Sequence, residues 1–168
     1  MGWEWISGRN RAWRYMIVKA ITDDPGYMQG EYKSEPAALK TAADLMLMLD
    51  ETPLKVLKQC PTRDATDQCV EDYWAGAAKN FDANNMLYSI NASRNYDPSR
   101  DLEKIQVPLT AVDSADDALY PPEMNVLPKE IKRVPKGNFV MIPASDVTRG
   151  EGYGHVRCAL VELPCRVA

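Results

Sequence analysis

Apolar positions recur with two different periods along this chain, and the change falls near Asp97-Pro98. Upstream the spacing is helical. From Asn10 to Thr22 the apolar residues Trp13, Met16, Ile17, Ala20 and Ile21 follow the i, i+3, i+4, i+7, i+8 pattern that lines one face of a helix. Asp24-Pro25-Gly26 stops that helix, and a turn-rich stretch runs to Ser34. Pro36, whose fixed φ suits a first helical position, opens a second helix predicted to end near Asp50. Its last part, Leu45-Met46-Leu47-Met48-Leu49, is apolar on every side, the pattern of a helix buried on more than one face. Pro53 and Pro61 bracket a short helical piece, Leu54 to Gln59. Thr62 can cap a fourth helix, with Asp64 in its first turn against the helix dipole. That helix carries Cys69, Val70, Tyr73, Trp74 and Ala77 on one face. A fifth, about Ala83 to Ser93, buries Met86, Leu87 and Ile90. Arg63, Asp64, Asp67, Glu71 and Asp72 fall between these stripes and read as a solvated face.

Downstream the chain alternates strand and helix. Val107 to Val112 is a short run of β-formers, and Asp113-Ser114-Ala115-Asp116-Asp117 is a polar turn. Pro121 or Pro122 starts a helix to about Arg133, with Met124, Leu127, Ile131 and Val134 inward. Pro135-Lys136-Gly137 ends it, and Asn138-Phe139-Val140-Met141-Ile142 is a second strand. Such a unit predicts parallel pairing with a right-handed crossover. Two parallel strands are not a sheet that stands alone, because parallel sheets need both faces covered and usually more strands.

Composition narrows the function classes. The 168 residues suit one ordinary domain, and 45% apolar with 26% charged residues is a globular balance. A net charge of -4 and a pI near 5.1 argue against a nucleic-acid partner or an anionic membrane surface. No apolar stretch reaches the roughly 18–20 residues that span a bilayer. Met1 to Arg14 carries Arg and Trp where a signal peptide would be apolar, so the expected location is cytoplasmic. Cys60 and Cys69 are separated by eight residues and Cys158 and Cys165 by six. Neither is a zinc spacing, and the reading is buried free thiols rather than metal or disulfide. No metal or nucleotide cofactor is suggested, and no glycine-rich phosphate loop occurs. Arg9, Arg11 and Arg14 cluster at a helix start. They read as a solvated or salt-bridged face, with a carboxylate-bearing substrate as the alternative. His155 is the single histidine.

In open α/β sheets, sites lie just beyond the carboxyl ends of the strands. Two polar loops occupy that position here, Asp113 to Asp117 and Pro143 to His155. An acidic loop after one strand and a histidine after the next form the acid–His half of a nucleophile–His–acid relay. In the hydrolase order the serine precedes both, on a Gly-x-Ser-x-Gly strand-to-helix elbow. No such pentapeptide exists in this chain: Ser7, Ser34, Ser89, Ser93 and Ser99 all lack the flanking glycines.

Several segments carry a resemblance. Gly8-Arg9-Asn10-Arg11-Ala12-Trp13-Arg14, Cys60-Pro61-Thr62-Arg63-Asp64-Ala65 and Ala92-Ser93-Arg94-Asn95-Tyr96-Asp97-Pro98-Ser99 are three of them. The others are Pro108 to Glu123 with its Ser-Ala-Asp-Asp…Pro-Pro-Glu, Glu130-Ile131-Lys132-Arg133-Val134, and Ile142-Pro143-Ala144-Ser145 followed by Thr148-Arg149-Gly150. Together they resemble the homoserine O-acetyltransferase-like branch of the α/β-hydrolase superfamily, in one continuous order from about Ser7 to Gly150. The resemblance implies a partial α/β-hydrolase fold: a helical lid over residues 1–98, the C-terminal β-α-β part of the sheet over 99–155, and a divergent tail over 156–168. It implies acyl transfer or ester hydrolysis on a small-molecule acyl substrate, with the serine absent from this chain. In the family the triad acid opens an Asp-x-Leu-(aromatic)-Pro pattern, here Asp117-Ala118-Leu119-Tyr120-Pro121. That gives Asp117 as the acid, with Asp116 as the alternative. The structural reading of either is a turn aspartate capping the next helix. The family histidine follows Arg-Gly directly. Here Glu151 follows Arg149-Gly150, and Gly154-His155 comes later. Either His155 takes the catalytic place through a small insertion, or it is a second histidine and Glu151 stands in that place. Glutamate could not replace imidazole as base for a serine at neutral pH. The family ends in an amphipathic helix, whereas Val156 to Ala168 has no helical stripe. The expectation is a homologue inactive alone. The alternative is a non-catalytic binding or self-associating protein, in which an unpaired sheet edge favours a homo-oligomer.

Overall fold

The computed structural model describes residues 6–148 and Gly150, and for residues 50 and 77–79 the backbone alone. Five helices come first: α1 (Gly8–Thr22), α2 (Leu39–Asp50), α3 (Pro53–Gln59), α4 (Arg63–Asn80) and α5 (Ala83–Ala92). A strand β1 (Leu109–Ser114), a short helix α6 (Val126–Glu130) and a strand β2 (Gly137–Ile142) follow. The two strands pair in parallel, from Leu109 opposite Gly137 to Ser114 opposite Ile142.

The helices form where the apolar stripes place them. Ile17 and Ile21 of α1 are fully buried, and Met86, Leu87 and Ile90 of α5 pack against the same core with Leu39, Ala42 and Leu49 of α2. Met16 lies at the edge of the α1 stripe and is largely exposed. The run at the end of α2 is not buried all round: Met46 packs on the core, while Met48 is 65% exposed. Helix α2 opens at Leu39 rather than Pro36, because residues 36–38 form a preceding turn. The Leu39 N–H meets the Pro36 carbonyl at 3.0 Å, and the Ala38 N–H donates to Asp24 Oδ2 at 2.7 Å. The amides of Ala38 and Gly26 hold the Asp24 carboxyl below its ordinary range. Thr62 caps α4 through the Ala65 N–H at 3.2 Å, and Asp82 caps α5 through the Asn85 N–H at 2.7 Å. The charged face of α4 is solvated as expected.

The free-thiol reading fails for one pair. Cys60 and Cys69 form a disulfide. Cys60 ends α3 and Cys69 lies in the second turn of α4, and the tight turn at Pro61-Thr62 brings their Cα atoms to 6.5 Å, within bridging reach. Cys158 and Cys165 lie outside the described residues.

Strand β1 runs two residues further than its β-formers, to Ser114, because the ladder uses backbone groups alone. The predicted helix over 121–133 breaks into 3₁₀ turns at Pro122–Met124 and Ile131–Arg133 around α6. Asn125 sits between them at φ 49°, a left-handed conformation that no helix continues through, and Pro128 has no N–H to give. Ile131 and Val134 are buried with Leu102, and Ile105, Ala111 and Phe139 pack on them to form a second core under the sheet. Gly137 opens β2 where a Cβ would lie 2.3 Å from the Ile131 carbonyl oxygen, so no larger residue fits there. Leu119, from the loop after β1, is buried among the residues of the helical core. No helix among the described residues is long and apolar enough to cross a membrane.

Candidate active site

The carboxyl end of β1 delivers three aspartates into one polar cluster. Asp113 is the last residue but one of the strand and 8% exposed; Asp117 follows in the turn and is 7% exposed. The turn is tight: the Ala115 N–H bonds the Ile142 carbonyl at 2.9 Å, and the Asp117 N–H bonds the Ser114 carbonyl at 3.0 Å. Asp117 Oδ1 then accepts the N–H groups of Leu119 at 2.6 Å and Tyr120 at 3.0 Å. This is the capping turn that an aspartate makes before a Pro-initiated segment. It also fixes the orientation of a buried carboxylate.

Asp113 and Asp117 interact directly through their side chains. Burial, then the neighbouring Asp117 charge and that hydrogen bond, push the Asp113 carboxyl up to about 6, against the opposing Ser114 N–H bond at 2.8 Å. Asp113 therefore keeps its proton into the mildly acidic range.

Asp116 faces the other way. Its Oδ1 accepts the Ser114 hydroxyl and its Oδ2 accepts the Thr148 hydroxyl, from the loop after β2. Thr148 is 2% exposed; its Oγ1 accepts the Ser145 N–H at 2.9 Å, and its carbonyl accepts the Thr52 hydroxyl at 3.2 Å. Gly150 sits at φ 48°, and a Cβ there would come within 2.9 Å of the Asp116 carbonyl oxygen. Lys58 of α3 pairs with Asp146 at 2.6 Å on the surface of the same loop. The loops after the two strands are therefore fastened to each other and to the start of α3.

Helix α1 reaches this cluster. Arg9 donates to the Ala118 carbonyl and lies over the Trp13 ring at 5.0 Å. Arg14 bonds Asn10 Oδ1 at 2.7 Å, Ser93 Oγ at 3.0 Å and the Ile90 carbonyl at 3.4 Å, where its charge suits the end of α5. Arg9 is exposed, as a solvated face requires, Arg11 lies over the Tyr15 ring at 5.7 Å, and Arg11 Nη1 and Asn10 Nδ2 are buried with no hydrogen-bond partner among the described residues.

Of the sequence-derived site residues, Asp117 and Asp116 are both in the cluster, in different roles. His155 and the alternative Glu151 lie outside the described residues. Asp113, Thr52 and Thr148 were not singled out as site residues from sequence. Asp113 could have been: it shares the strand face of Ala111, which packs on the second core, and an acid on an inward face demands a partner. Among the described residues no group of His, Cys, Asp or Glu is arranged to hold a metal ion.

No family model and no curated protein matches this chain. Solved structures do. The chain is similar to the esterase E22 at a TM-score of 0.73 and 16% identity, over 92% of this chain and 49% of that one. It is similar to the homoserine O-acetyltransferase from Bacillus anthracis at 0.64 and 17%, over 82% and 43%. It is also similar to the acetyl esterase MekB at 0.61 and 18%, over 82% and 44%. The chain thus spans less than half the length of each of these proteins. At this identity the likeness is one of fold: a mostly helical chain with a two-stranded parallel sheet that corresponds to part of the α/β-hydrolase fold seen in esterases and acetyltransferases.

Proposed function

We propose that this chain is the lid and last-strand portion of an α/β-hydrolase-fold acyltransferase or esterase of the homoserine O-acetyltransferase-like branch. It carries the acid and the histidine of the relay but not the serine. The observation that supports this reading most is the placement of Asp117: buried, just beyond the carboxyl end of β1, its carboxylate oriented by two backbone amides, and in the turn fastened to the loop after β2. In such a relay Asp117 accepts a ring N–H of His155, fixes its tautomer and stabilises the imidazolium formed when the other nitrogen takes the serine proton. The substrate is a small-molecule acyl ester or thioester, bound under the lid once the nucleophile-bearing part is present. Asp117 rather than Asp116 is the acid in this reading, because it opens the Asp-x-Leu-(aromatic)-Pro pattern and is the more deeply buried of the two.

The test is the titration of His155 by proton NMR, whose signal is free of overlap because the chain has one histidine. Pairing with Asp117 raises its pKa above the ordinary value of about 6.5, and Asp117→Asn lowers it by about one unit or more. A His155 titration that Asp117→Asn leaves unchanged contradicts the pairing.

A second reading is favoured by the sheet. Leu109 and Val112, on opposite faces of β1, are 38% and 42% exposed and Val107 just before the strand is 65% exposed, so a short two-stranded sheet leaves apolar side chains uncovered. A non-catalytic, self-associating protein would run on size-exclusion chromatography as an oligomer at micromolar concentration, and a monomer that unfolds cooperatively counts against it.

A further inference from the structure

A cavity of about 460 Å³ opens between α2 and α4 and shares no lining residue with the aspartate cluster at the end of β1. Its volume falls within the roughly 300–1,000 Å³ of small-molecule sites. We propose that it binds an organic cation, a quaternary ammonium with an apolar body, on the face of Trp74, at the place that the Lys40 ammonium holds in the free chain. Nothing in this site draws on the residues of the relay.

The walls are apolar and aromatic. Leu39 and Ala43 come from α2, Trp74 from α4, and Phe81 from the residues joining α4 to α5. No described side chain of α4 is buried, so this helix leaves the space against α2 unfilled. The Trp74 ring is fixed, because its Nε1–H donates to Asp44 Oδ1. Its face already takes a cation: Lys40 Nζ stands 3.0 Å from the ring centroid. The charges around the cavity favour a cation as well. Glu35 and Glu71 line it at exposed positions against the one ammonium of Lys40, and neither carboxylate is in an ion pair among the described residues. Burial, and then the nearby Asp82 charge, hold the Glu35 carboxyl above its ordinary range, against the opposing Ala83 N–H bond at 3.0 Å. A carboxyl raised in this way gains from a cation beside it. Lys40 is exposed and its ammonium is strongly hydrated, so it returns to water at little cost. A quaternary ammonium suits an aromatic face and brings an apolar body to cover Leu39, Ala43 and Phe81. A carboxylate ligand would gain Lys40 but would meet Glu35 and Glu71.

The experiment titrates the full 168-residue chain with benzyltrimethylammonium and, separately, with phenylacetate, following the Trp74 indole N–H and the Ala43 amide by NMR. Trp74→Phe identifies that indole among the four tryptophans. The site predicts saturable shifts of both signals with the cation at roughly millimolar concentration or below, and about tenfold weaker binding of the anion. Lys40→Met keeps the apolar stem and removes the resident ammonium, so it tightens cation binding about threefold, the scale of one exposed cation–π contact. Glu71→Gln weakens cation binding about twofold. Both positions are exposed, and neither variant disturbs the core. Cation binding that is unchanged or weaker in Lys40→Met overturns the proposal, and so does a preference for phenylacetate, which would mark an anion site. Equal affinity for the two probes would reflect burial of the benzyl group alone and overturns it too, as does the absence of saturable shifts with both.

Discussion

Replacing Asp113 by asparagine isolates the cost of burying two carboxyls side by side. In the folded chain Asp113 is raised from 3.8 to about 6, mainly by burial and then by Asp117. A folded-state value above the unfolded one means that the native chain binds the proton more tightly. The stabilisation that this proton supplies is complete below about pH 3.8 and is lost as pH rises through about 6. A shift of about two units, at about 1.4 kcal/mol each, sets a limit of roughly 3 kcal/mol on the penalty at neutral pH. Asp113→Asn keeps the side-chain shape, removes the charge, and offers an N–H to Asp117 in place of the lost proton. The expected outcome is a variant more stable than the parent by about 1–3 kcal/mol at pH 7.5, the advantage shrinking to near zero at pH 4. Urea denaturation of both chains at half-unit pH steps, followed by tryptophan fluorescence, measures the difference. A stability difference independent of pH refutes the reasoning, because it would mean that Asp113 titrates alike in the folded and unfolded chains.

Two further outcomes are expected. Reducing the Cys60–Cys69 disulfide, which closes a loop with a sequence separation of 9, lowers unfolding free energy by about 2–3 kcal/mol. Denaturation with and without a phosphine reductant measures it, and a Cys60→Ala/Cys69→Ala variant insensitive to the reductant serves as control. Ile21→Ala removes a fully buried side chain from the helical core and costs about 2–5 kcal/mol by the same denaturation, whereas Met48→Ala on the exposed side of α2 costs under about 1 kcal/mol.

The helical half was legible because each stripe has a single period and a chemical boundary, as with Ile17 and Ile21 before Asp24-Pro25-Gly26, or Thr62 capping α4. The β-α-β half was legible in outline only. Nothing in local propensity extends β1 through Asp113 and Ser114; the ladder to Met141 and Ile142 does that. The break at Asn125 and Pro128 was written in the residues, yet the apolar spacing of Met124, Leu127 and Ile131 masked it. Cys60 and Cys69 pair because the turn at Pro61-Thr62 folds α4 back on α3, a tertiary fact that spacing does not carry. In the site, the pattern Asp117-Ala118-Leu119-Tyr120-Pro121 pointed to Asp117, and Leu119 explains part of that pattern by anchoring the loop in the helical core. The partners of Asp116, Thr148 at a separation of 32 and Ser114 on the strand, depend on the two strand ends lying side by side and could not be seen before β1 and β2 were paired.

The central claim is that this chain holds the acid side of an acyl-transfer relay without its nucleophile. Incubating the purified 168-residue chain with a serine-reactive fluorophosphonate and weighing it by intact-mass spectrometry tests this directly. The account predicts an unmodified mass; stoichiometric addition of one phosphonyl group to a serine would contradict it.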